Sequence, residues 1–173
     1  MSSTKKTTNT SRREFLRDST MAATGFFIVP RHVLGRGFLA PSDRLQIAAI
    51  GAGGKGGDDI RNFNSSGKVD IAYLCDVDDR QAAKSRAAFP KAKYYKDFRE
   101  MLDKEHKHID ACNVSIPDNC HAVAAMAVMQ LGKHVYCQKP MTHDIYEARM
   151  LTEAAKRYKV VAQMGNQGAS GDG

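Results

Sequence analysis

Short apolar runs alternate with segments of helical pattern between residues 45 and 164, and this alternation limits the possible folds more than any other feature of the chain. Strands that alternate with helices favour parallel pairing, because a parallel connection has to cross the sheet. The pattern therefore predicts an α/β fold with a doubly wound parallel sheet in three layers. The predicted strands cover residues 45–50, 69–75, 93–95, 109–114, 134–137 and 160–164.

The helical segments differ in the exposure that they predict. Segment 79–89 is rich in Ala, Lys, Arg and Gln, as in a half-exposed helix, whereas 121–131 is nearly all Ala, Val and Met, as in a buried one. Gly132 is expected to end the second of these helices in a left-handed conformation. A last helix is predicted to begin after Asp144, which forms a cap together with Glu147.

The net charge of the 173 residues is +7, but it is unevenly distributed. Residues 1–40 hold seven Lys and Arg against two acidic residues, whereas the remainder holds 19 against 17. The basic character therefore belongs mostly to the N-terminal segment, and without a basic stripe that includes aromatic residues we expect no nucleic-acid binding. The four cysteines form no Cys-x-x-Cys pattern, so neither a disulfide nor a metal site is predicted.

The first 40 residues have the composition of a leader. Paired Arg12 and Arg13 are followed by Phe15 and Leu16 and then by an apolar stretch at 21–29, an order that resembles a twin-arginine export signal. The stretch is far shorter than the roughly 20 residues that span a bilayer. We therefore expect the twin-arginine machinery to export the folded protein to the periplasm, and the alternative is a disordered basic tail.

The first chemical motif is the Gly-Ala-Gly-Gly-Lys-Gly of residues 51–56, which follows the first predicted strand and begins a helix. In a dinucleotide-binding turn, Gly51 allows the sharp bend, Gly53 lets the backbone approach a pyrophosphate, and Gly56 lets the helix pack closely on the strand. Gly54 and Lys55 lie where the free N–H groups of the helix would face the phosphates. The alternative is a glycine-rich turn without a ligand.

Asp76 strengthens the dinucleotide interpretation, since it ends the second predicted strand twenty residues after Gly56. A carboxylate at this place accepts hydrogen bonds from the adenosine ribose and repels the 2'-phosphate of NADP, so NAD is favoured over NADP. Arg80 keeps NADP possible, although stacking beside adenine or simple solvation are its preferred roles. Asp78 and Asp79 are interpreted as helix-capping residues.

Two further polar segments follow predicted strands. Ser115, Pro117, Asp118 and His121 lie after the fourth strand, at the edge of the sheet where ligands bind in such folds, so they are candidate cofactor contacts. For Pro117, Asp118 and His121 the alternative role is to begin the next helix.

The second of these segments is Gln138-Lys139-Pro140, which follows the fifth strand. Lys139 would point toward the nicotinamide, where an ammonium group can bind a substrate hydroxyl and assist its proton transfer. The alternative is a surface lysine beside a turn.

Several motifs together carry a family resemblance. In chain order they are the glycine motif at 51–56, Pro117-Asp118 with His121, Gly132-Lys133-His134-Val135, and Gln138-Lys139-Pro140. This array resembles the Gfo/Idh/MocA oxidoreductase superfamily over about residues 43–168, and the leader resembles the exported bacterial branch of that superfamily.

The resemblance implies a two-domain enzyme in which this Rossmann domain precedes an α/β domain that carries the substrate pocket and often the oligomer interface. Members usually oxidise or reduce sugars, cyclitols and their derivatives, so the implied partners are a carbohydrate substrate and further copies of the full-length chain. By the same resemblance Lys139 is the catalytic residue, and Asn166 lies beside the nicotinamide ribose. Gln138 contributes hydrogen bonds near the cofactor.

Two residues depart from the family pattern. Gln138 stands where Glu is commoner, which removes a negative charge beside Lys139, and Ile116 stands where Thr is common. The domain organisation expected is a leader and linker at 1–40, the NAD-binding domain at 41–168, and at 169–173 the start of a connection to a substrate domain that this chain lacks. On that expectation the piece binds NAD but is inactive alone.

Three functions remain open at this point. The preferred one is NAD-dependent hydride transfer at a carbohydrate hydroxyl. The second is glycosidic bond cleavage with NAD as a transient oxidant, an activity found among exported relatives. The third is a nucleotide-binding module without catalysis.

Overall fold

The computed structural model describes residues 43–169, which form a six-stranded parallel sheet in the order β3-β2-β1-β4-β5-β6. The predicted α/β architecture is confirmed. The strands are β1 (Leu45–Ile50), β2 (Val69–Cys75), β3 (Lys93–Tyr95), β4 (Ala111–Val114), β5 (His134–Gln138) and β6 (Ala162–Gly165). The predicted leader at 1–40 and the terminal 170–173 lie outside the described residues.

Helices connect the strands and cover both faces of the sheet. They are α1 (Gly54–Ser65), α2 (Asp79–Ala88), α3 (Phe98–Glu105), α4 (His121–Gln130) and α5 (Ile145–Tyr158), with short 3-10 turns at His106–His108, Asp118–Cys120 and Gln167–Ala169. The sequence patterns described above did not predict α3. None of the helices in the described range is long and apolar enough to cross a membrane.

The alternation of side chains along β1 divides the core between the two faces of the sheet. Ile47 and Ala49 pack with Ile60 of α1 and Ala82 of α2 in one cluster. Ala48 and Ile50 point the other way, into a larger cluster with apolar side chains of α3, α4 and α5. Because every β1 residue from Ile47 onward is buried, this strand is the centre of a three-layer domain.

The helix ends confirm most of the predicted caps. The Asp144 carboxylate accepts from the Glu147 N–H at 2.8 Å, and Gly132 adopts a left-handed φ of +70° after α4. Asp78 caps α2 by accepting from the Arg80 N–H at 2.9 Å. The capping role predicted for Asp79 is wrong, because Asp79 is already the first helical residue.

β5 and β6 each end one residue later than predicted, at Gln138 and Gly165, and two strands begin later than predicted for local reasons. β4 begins at Ala111 rather than at residue 109, because the N–H of Ile109 closes a 3-10 turn onto His106. β6 begins at Ala162 rather than at residue 160, because the Val160 N–H still donates to the Ala155 carbonyl at the end of α5. In both cases an apolar residue of the core extends the hydrophobic run beyond the strand itself.

Candidate nucleotide-binding site

The sheet order changes direction between β1 and β4, and the loops that follow these two strands diverge to form a cleft. A cavity of about 460 Å³ lies at this edge, and a smaller one of about 200 Å³ lies next to it. Ser115 and Ile116 line both cavities. The larger also contacts Asp76 and Pro117, whereas the smaller is lined further by Lys55, Asp118, His121, Gln138 and Lys139.

Gly51 makes the sharp turn that brings the β1 loop against the β4 loop. Its φ is +86°, and a Cβ atom there would lie 2.1 Å from the Ser115 carbonyl oxygen. A Cβ atom on Gly56 would lie 1.9 Å from the Gly51 carbonyl oxygen. The two glycines therefore allow backbone contacts that any side chain would block, as predicted for such a turn.

The N-terminus of α1 supplies the polar groups of the turn. Its N-cap, Gly53, makes no side-chain capping bond, and the first turn of the helix contains no acidic residue. The first-turn N–H groups and the positive end of the helix dipole can therefore bind an anion. Gly53 and Gly54 differ in their surroundings, because a Cβ on Gly53 would meet Gln81 of α2 at 2.6 Å, whereas nothing lies within 4 Å of one on Gly54. A side chain at Gly53 would therefore collide with α2, and the predicted approach of a pyrophosphate to the Gly53 backbone stays a prediction.

Asp76 joins the loops that follow β1 and β2. One carboxylate oxygen accepts from the Gly53 N–H at 2.9 Å, and the other accepts from the Asp78 N–H at 2.9 Å. Each oxygen keeps a further lone pair, so the carboxylate can also accept from the hydroxyls of a ribose in the larger cavity.

Arg80 lies at the start of α2; it lines neither of these two cavities but lines another, of about 280 Å³, together with Gly54 and Gln81. Its side chain is 91% exposed and forms an ion pair with Asp78. The hydrogen bonds of Arg80 lower the pKa of Asp78. The side chain is solvated and does not line the cavity that Asp76 lines, and a role of Arg80 beside adenine stays a prediction.

The larger cavity has a wall that sequence reasoning missed. Lys96, Phe98 and Arg99 follow β3 and line this cavity. The signal was available, because the residues that follow any strand of a parallel sheet reach the same edge.

His121 is a buried residue of α4, with a relative exposure of 1%. Its Nδ1 lies 2.6 Å from the Pro140 carbonyl oxygen, and its Nε2 has no hydrogen-bond partner among the described residues. The imidazole therefore connects the start of α4 to the segment after β5. His121 begins the helix, which was one of its two predicted roles, and it lines the smaller cavity; its contact with the cofactor stays a prediction.

Lys139 follows the last residue of β5, and its side chain is exposed at the smaller cavity. Gln138 is buried, and its Oε1 accepts from the Lys139 N–H at 3.3 Å. Asn166 follows β6 at the same edge of the sheet but lines neither cavity. The structure thus brings Lys139 and Lys55 to one cavity and leaves Asn166 outside it.

Asp59 is the main site residue that sequence reasoning missed. It lies on α1 with a relative exposure of 4%, and its carboxylate contacts Lys55, Ser115 and Gln138. The spacing of Lys55 and Asp59, i and i+4 on one helix, was the available signal. No group of three or more His, Cys, Asp or Glu side chains suited to a metal ion occurs within residues 43–169.

The sequence model described as "Oxidoreductase family, NAD-binding Rossmann fold" matches residues 45–166, which include the glycine turn, Asp76 and Lys139. The chain belongs to the Gfo/Idh/MocA oxidoreductase family. This confirms the resemblance inferred from the motifs.

Two curated relatives are similar over most of the chain. A glycosyl hydrolase family 109 protein from Solibacter usitatus is 30% identical over 86% of this chain and 38% of its own length. The inositol 2-dehydrogenase of Salmonella typhimurium is 27% identical over 70% of this chain and 36% of its own length. The chain therefore spans well under half the length of the curated relatives that it matches.

Solved structures show the same fold. GenD2 from gentamicin A biosynthesis, in complex with NAD, superposes with a TM-score of 0.67 at 26% identity, covering 80% of this chain and 37% of GenD2. The myo-inositol 2-dehydrogenase of Lactobacillus plantarum superposes with a TM-score of 0.68 at 24% identity, covering 75% of this chain and 38% of that protein.

NAD is the cofactor of this domain, as predicted. The residues present fit it, because α1 offers first-turn N–H groups beside the open space at Gly54. Asp76 adds free lone pairs for ribose hydroxyls, at the position where a negative charge opposes a 2'-phosphate.

Proposed function

We propose that the protein is an NAD-dependent oxidoreductase that acts on a hydroxyl group of a sugar, a cyclitol or a related carbohydrate. The observation that carries the proposal is the position of Lys139, exposed at the smaller cavity, which Lys55 also lines and which adjoins the larger cavity at Ser115. The named activity of the inositol 2-dehydrogenase relative supports this substrate class.

Each group in the cleft has a distinct task. Asp76 and the N-terminus of α1 bind and orient the dinucleotide through its ribose hydroxyls and phosphates. When NAD is bound, its nicotinamide ring supplies the electron acceptor for oxidation of the alcohol carbon. The Nζ atom of Lys139 binds the substrate oxygen and accepts the proton that the hydroxyl group loses.

A second function is favoured by one comparison. The Solibacter usitatus relative, at 30% identity, is named as a glycosyl hydrolase family 109 protein. Glycoside cleavage in which NAD is reduced and then reoxidised within one turnover would use the same cofactor site. Sugar release without net formation of NADH distinguishes this reaction from simple dehydrogenation.

The experiment on the cofactor site is calorimetric titration of the chain with NAD and, separately, with NADP. We expect NAD to bind more tightly, and Asp76→Ala to weaken NAD binding roughly 10- to 100-fold through the loss of hydrogen bonds to a charged group. Asp70→Ala is the matched control, because Asp70 lies near the start of β2 and pairs with Arg44 at 2.9 Å. Equal losses in both variants would contradict a ribose contact at Asp76.

The experiment on the reaction is turnover of the full-length protein with NAD and a panel of cyclitols and sugar nucleotides. We expect Lys139→Ala to lower kcat on any substrate that is turned over, while NAD affinity is retained. Lys133→Ala, a substitution in the turn before β5, is the control. Unchanged turnover in Lys139→Ala would contradict a catalytic role for Lys139.

We also propose that the twin-arginine pathway exports the protein to the periplasm. The pair Arg12-Arg13 and the apolar stretch at 21–29 support this proposal. Replacement of both arginines by lysine should retain the protein in the cytoplasm in a fractionation experiment. Periplasmic recovery of that variant would contradict the proposed route.

A further inference from the structure

The Asp59 carboxylate is shared by three parts of the cleft. Its Oδ1 pairs with Lys55 Nζ at 2.8 Å on α1. Its Oδ2 accepts from Ser115 Oγ at 3.2 Å, after β4, and from Gln138 Nε2 at 2.6 Å, on β5. Asp59 thus joins the helix that begins at the glycine turn to the strand that leads to Lys139.

Burial makes this arrangement costly unless each polar contact is satisfied. The carboxylate is almost fully buried, so it depends on Lys55 for its counter-charge and on Ser115 and Gln138 for its remaining bonds. The carboxylate in turn raises the pKa of Lys55 above its ordinary value, chiefly through their hydrogen bond.

A carboxylate accepts hydrogen bonds and donates none, so it dictates which way the Gln138 amide points. The Nε2 group has to face Asp59, which leaves Oε1 for the Lys139 N–H. A Cβ on Gly165 would lie 2.9 Å from Nε2, so β6 packs tightly against the amide from the other side. The orientation of one buried amide therefore determines a hydrogen bond of the Lys139 backbone.

We propose that Asp59 is a positioning residue for Lys139, acting through the amide of Gln138, and that Asp59 and Gln138 form a matched pair. The inference rests on the proposed role of Lys139 in catalysis. It accounts for the glutamine at residue 138, because a glutamate there would bring a second carboxylate against the buried one at Asp59.

Three variants separate the consequences of this pairing. In Asp59→Asn the new Oδ1 can stay with Lys55, but Nδ2 then meets Nε2 of Gln138, donor against donor, and the Gln138 amide has to turn. In Gln138→Glu two carboxylates meet. In the double variant Asp59→Asn with Gln138→Glu, the new amide at position 59 donates through Nδ2 to one oxygen of the new carboxylate at position 138. The other oxygen of that carboxylate accepts from the Lys139 N–H.

The first measurement is hydrogen exchange of the Lys139 backbone amide by NMR in the 173-residue chain. We expect Asp59→Asn to raise its exchange rate about tenfold, as for the loss of one hydrogen bond, and the double variant to return it to within about threefold of the wild type. Asp58→Asn is the matched control, because Asp58 is exposed on the same helix and pairs with Arg61. Its Lys139 exchange rate should stay within about twofold of the wild type.

Either of two results would overturn the inference. The first is an unchanged Lys139 exchange rate in Asp59→Asn, and the second is a double variant that exchanges as fast as the single one. If Asp59→Asn fails to fold, the double variant decides, since a folded chain with a protected Lys139 amide requires the exchanged pair of partners.

The second measurement uses the full-length protein with NAD and myo-inositol as the probe. We expect Asp59→Asn to lower kcat about tenfold with little change in the KM for NAD, and the double variant to restore kcat. Lys139→Ala is measured in parallel. The proposed function fails for myo-inositol if Lys139→Ala leaves kcat unchanged or if the wild type does not turn over this substrate. In that case the pairing of Asp59 with Gln138 is tested by the amide exchange measurement alone. If Lys139→Ala lowers kcat and Asp59→Asn does not, the positioning role is wrong.

Discussion

The two halves of the sheet meet at β1 and β4 but contribute to the cleft in different ways. In the half formed by β1 to β3, the cleft is built mainly from backbone: a left-handed glycine, the N-terminus of α1 and two loops held together by Asp76. In the half formed by β4 to β6, it is built from the side chains of Ser115 and Gln138, which both donate to the Asp59 carboxylate of α1 across the junction. The first half suits recognition of the constant dinucleotide, and the second suits control of a reacting group.

The junction between the halves should be the most sensitive point of the fold. Gly51→Ala would place a Cβ 2.1 Å from the Ser115 carbonyl oxygen and would strain a φ of +86°. We expect a loss of roughly 3 to 5 kcal/mol in the free energy of unfolding, measured by urea denaturation.

Gly67→Ala is the matched control for that substitution. Gly67 has a similar φ of +69°, but nothing lies within 4 Å of its Cβ position. Its cost should be about 1 to 2 kcal/mol, from backbone strain alone. Equal costs at Gly51 and Gly67 would mean that the halves do not depend on close contact at the turn.

The reactivity of Cys120 tests whether a nucleotide bound by the first half of the cleft also covers the second half. It is the exposed cysteine of the four and lines the larger cavity after β4. Burial raises the pKa of the Cys75, Cys112 and Cys137 thiols to about 12, so they stay protonated and unreactive.

We therefore expect a thiol reagent such as DTNB to label one cysteine per folded chain, and saturating NAD to slow that labelling about tenfold. Cys120→Ser should remove the fast reaction and serves as the control. Labelling at the same rate with and without NAD would mean that the bound cofactor contacts only the β1 side of the cleft.

Glu105 of α3, which contacts the β3 side of the first half, should contribute to the stability of the fold at acid pH. Hydrogen bonds from Lys93 and Tyr95 lower the pKa of Glu105 from 4.5 to about 2. The unfolded chain thus takes up this proton near pH 4.5 and the folded chain only near pH 2. The stabilisation is complete above about pH 4.5 and is lost as the pH falls toward 2.

Glu105→Gln should accordingly flatten the decline of the unfolding free energy between these pH values, as measured by chemical denaturation at several pH values. Glu153→Gln on the exposed surface of α5 is the control, because it makes the same change in net charge. A Glu105→Gln curve parallel to that of the wild type would show that the Lys93 and Tyr95 contacts are not maintained in solution.

The first half of the cleft was predictable from sequence because its parts are close together in the chain. Gly51, Gly56 and Asp76 belong to one strand-helix-strand unit, and each performs a task that only its residue type can perform. The buried polar contacts of the second half were not predictable, because Asp59 and Gln138 are 79 residues apart and neither shows its burial in its own segment.

Arg80 and His121 show the same limit. Both were candidates by position, but only packing showed that Arg80 extends into solvent beside Asp78 and that His121 is buried against Pro140 while it lines the smaller cavity. Local sequence settles where a residue falls along an element, whereas its surroundings depend on the elements that pack against it.

The sequence by itself determined the α/β class, the order of the strands along the chain, the glycine turn, the preference for NAD and the family. These properties follow from periodicity and from residues whose conformation or charge acts over short distances along the chain. Tertiary structure alone decided that the carboxylate of Asp59 is buried, that it orients Gln138, and that Gln138 in turn contacts Lys139. The physical reason is that the free energy of a buried polar group depends on partners which the fold brings together from distant parts of the chain.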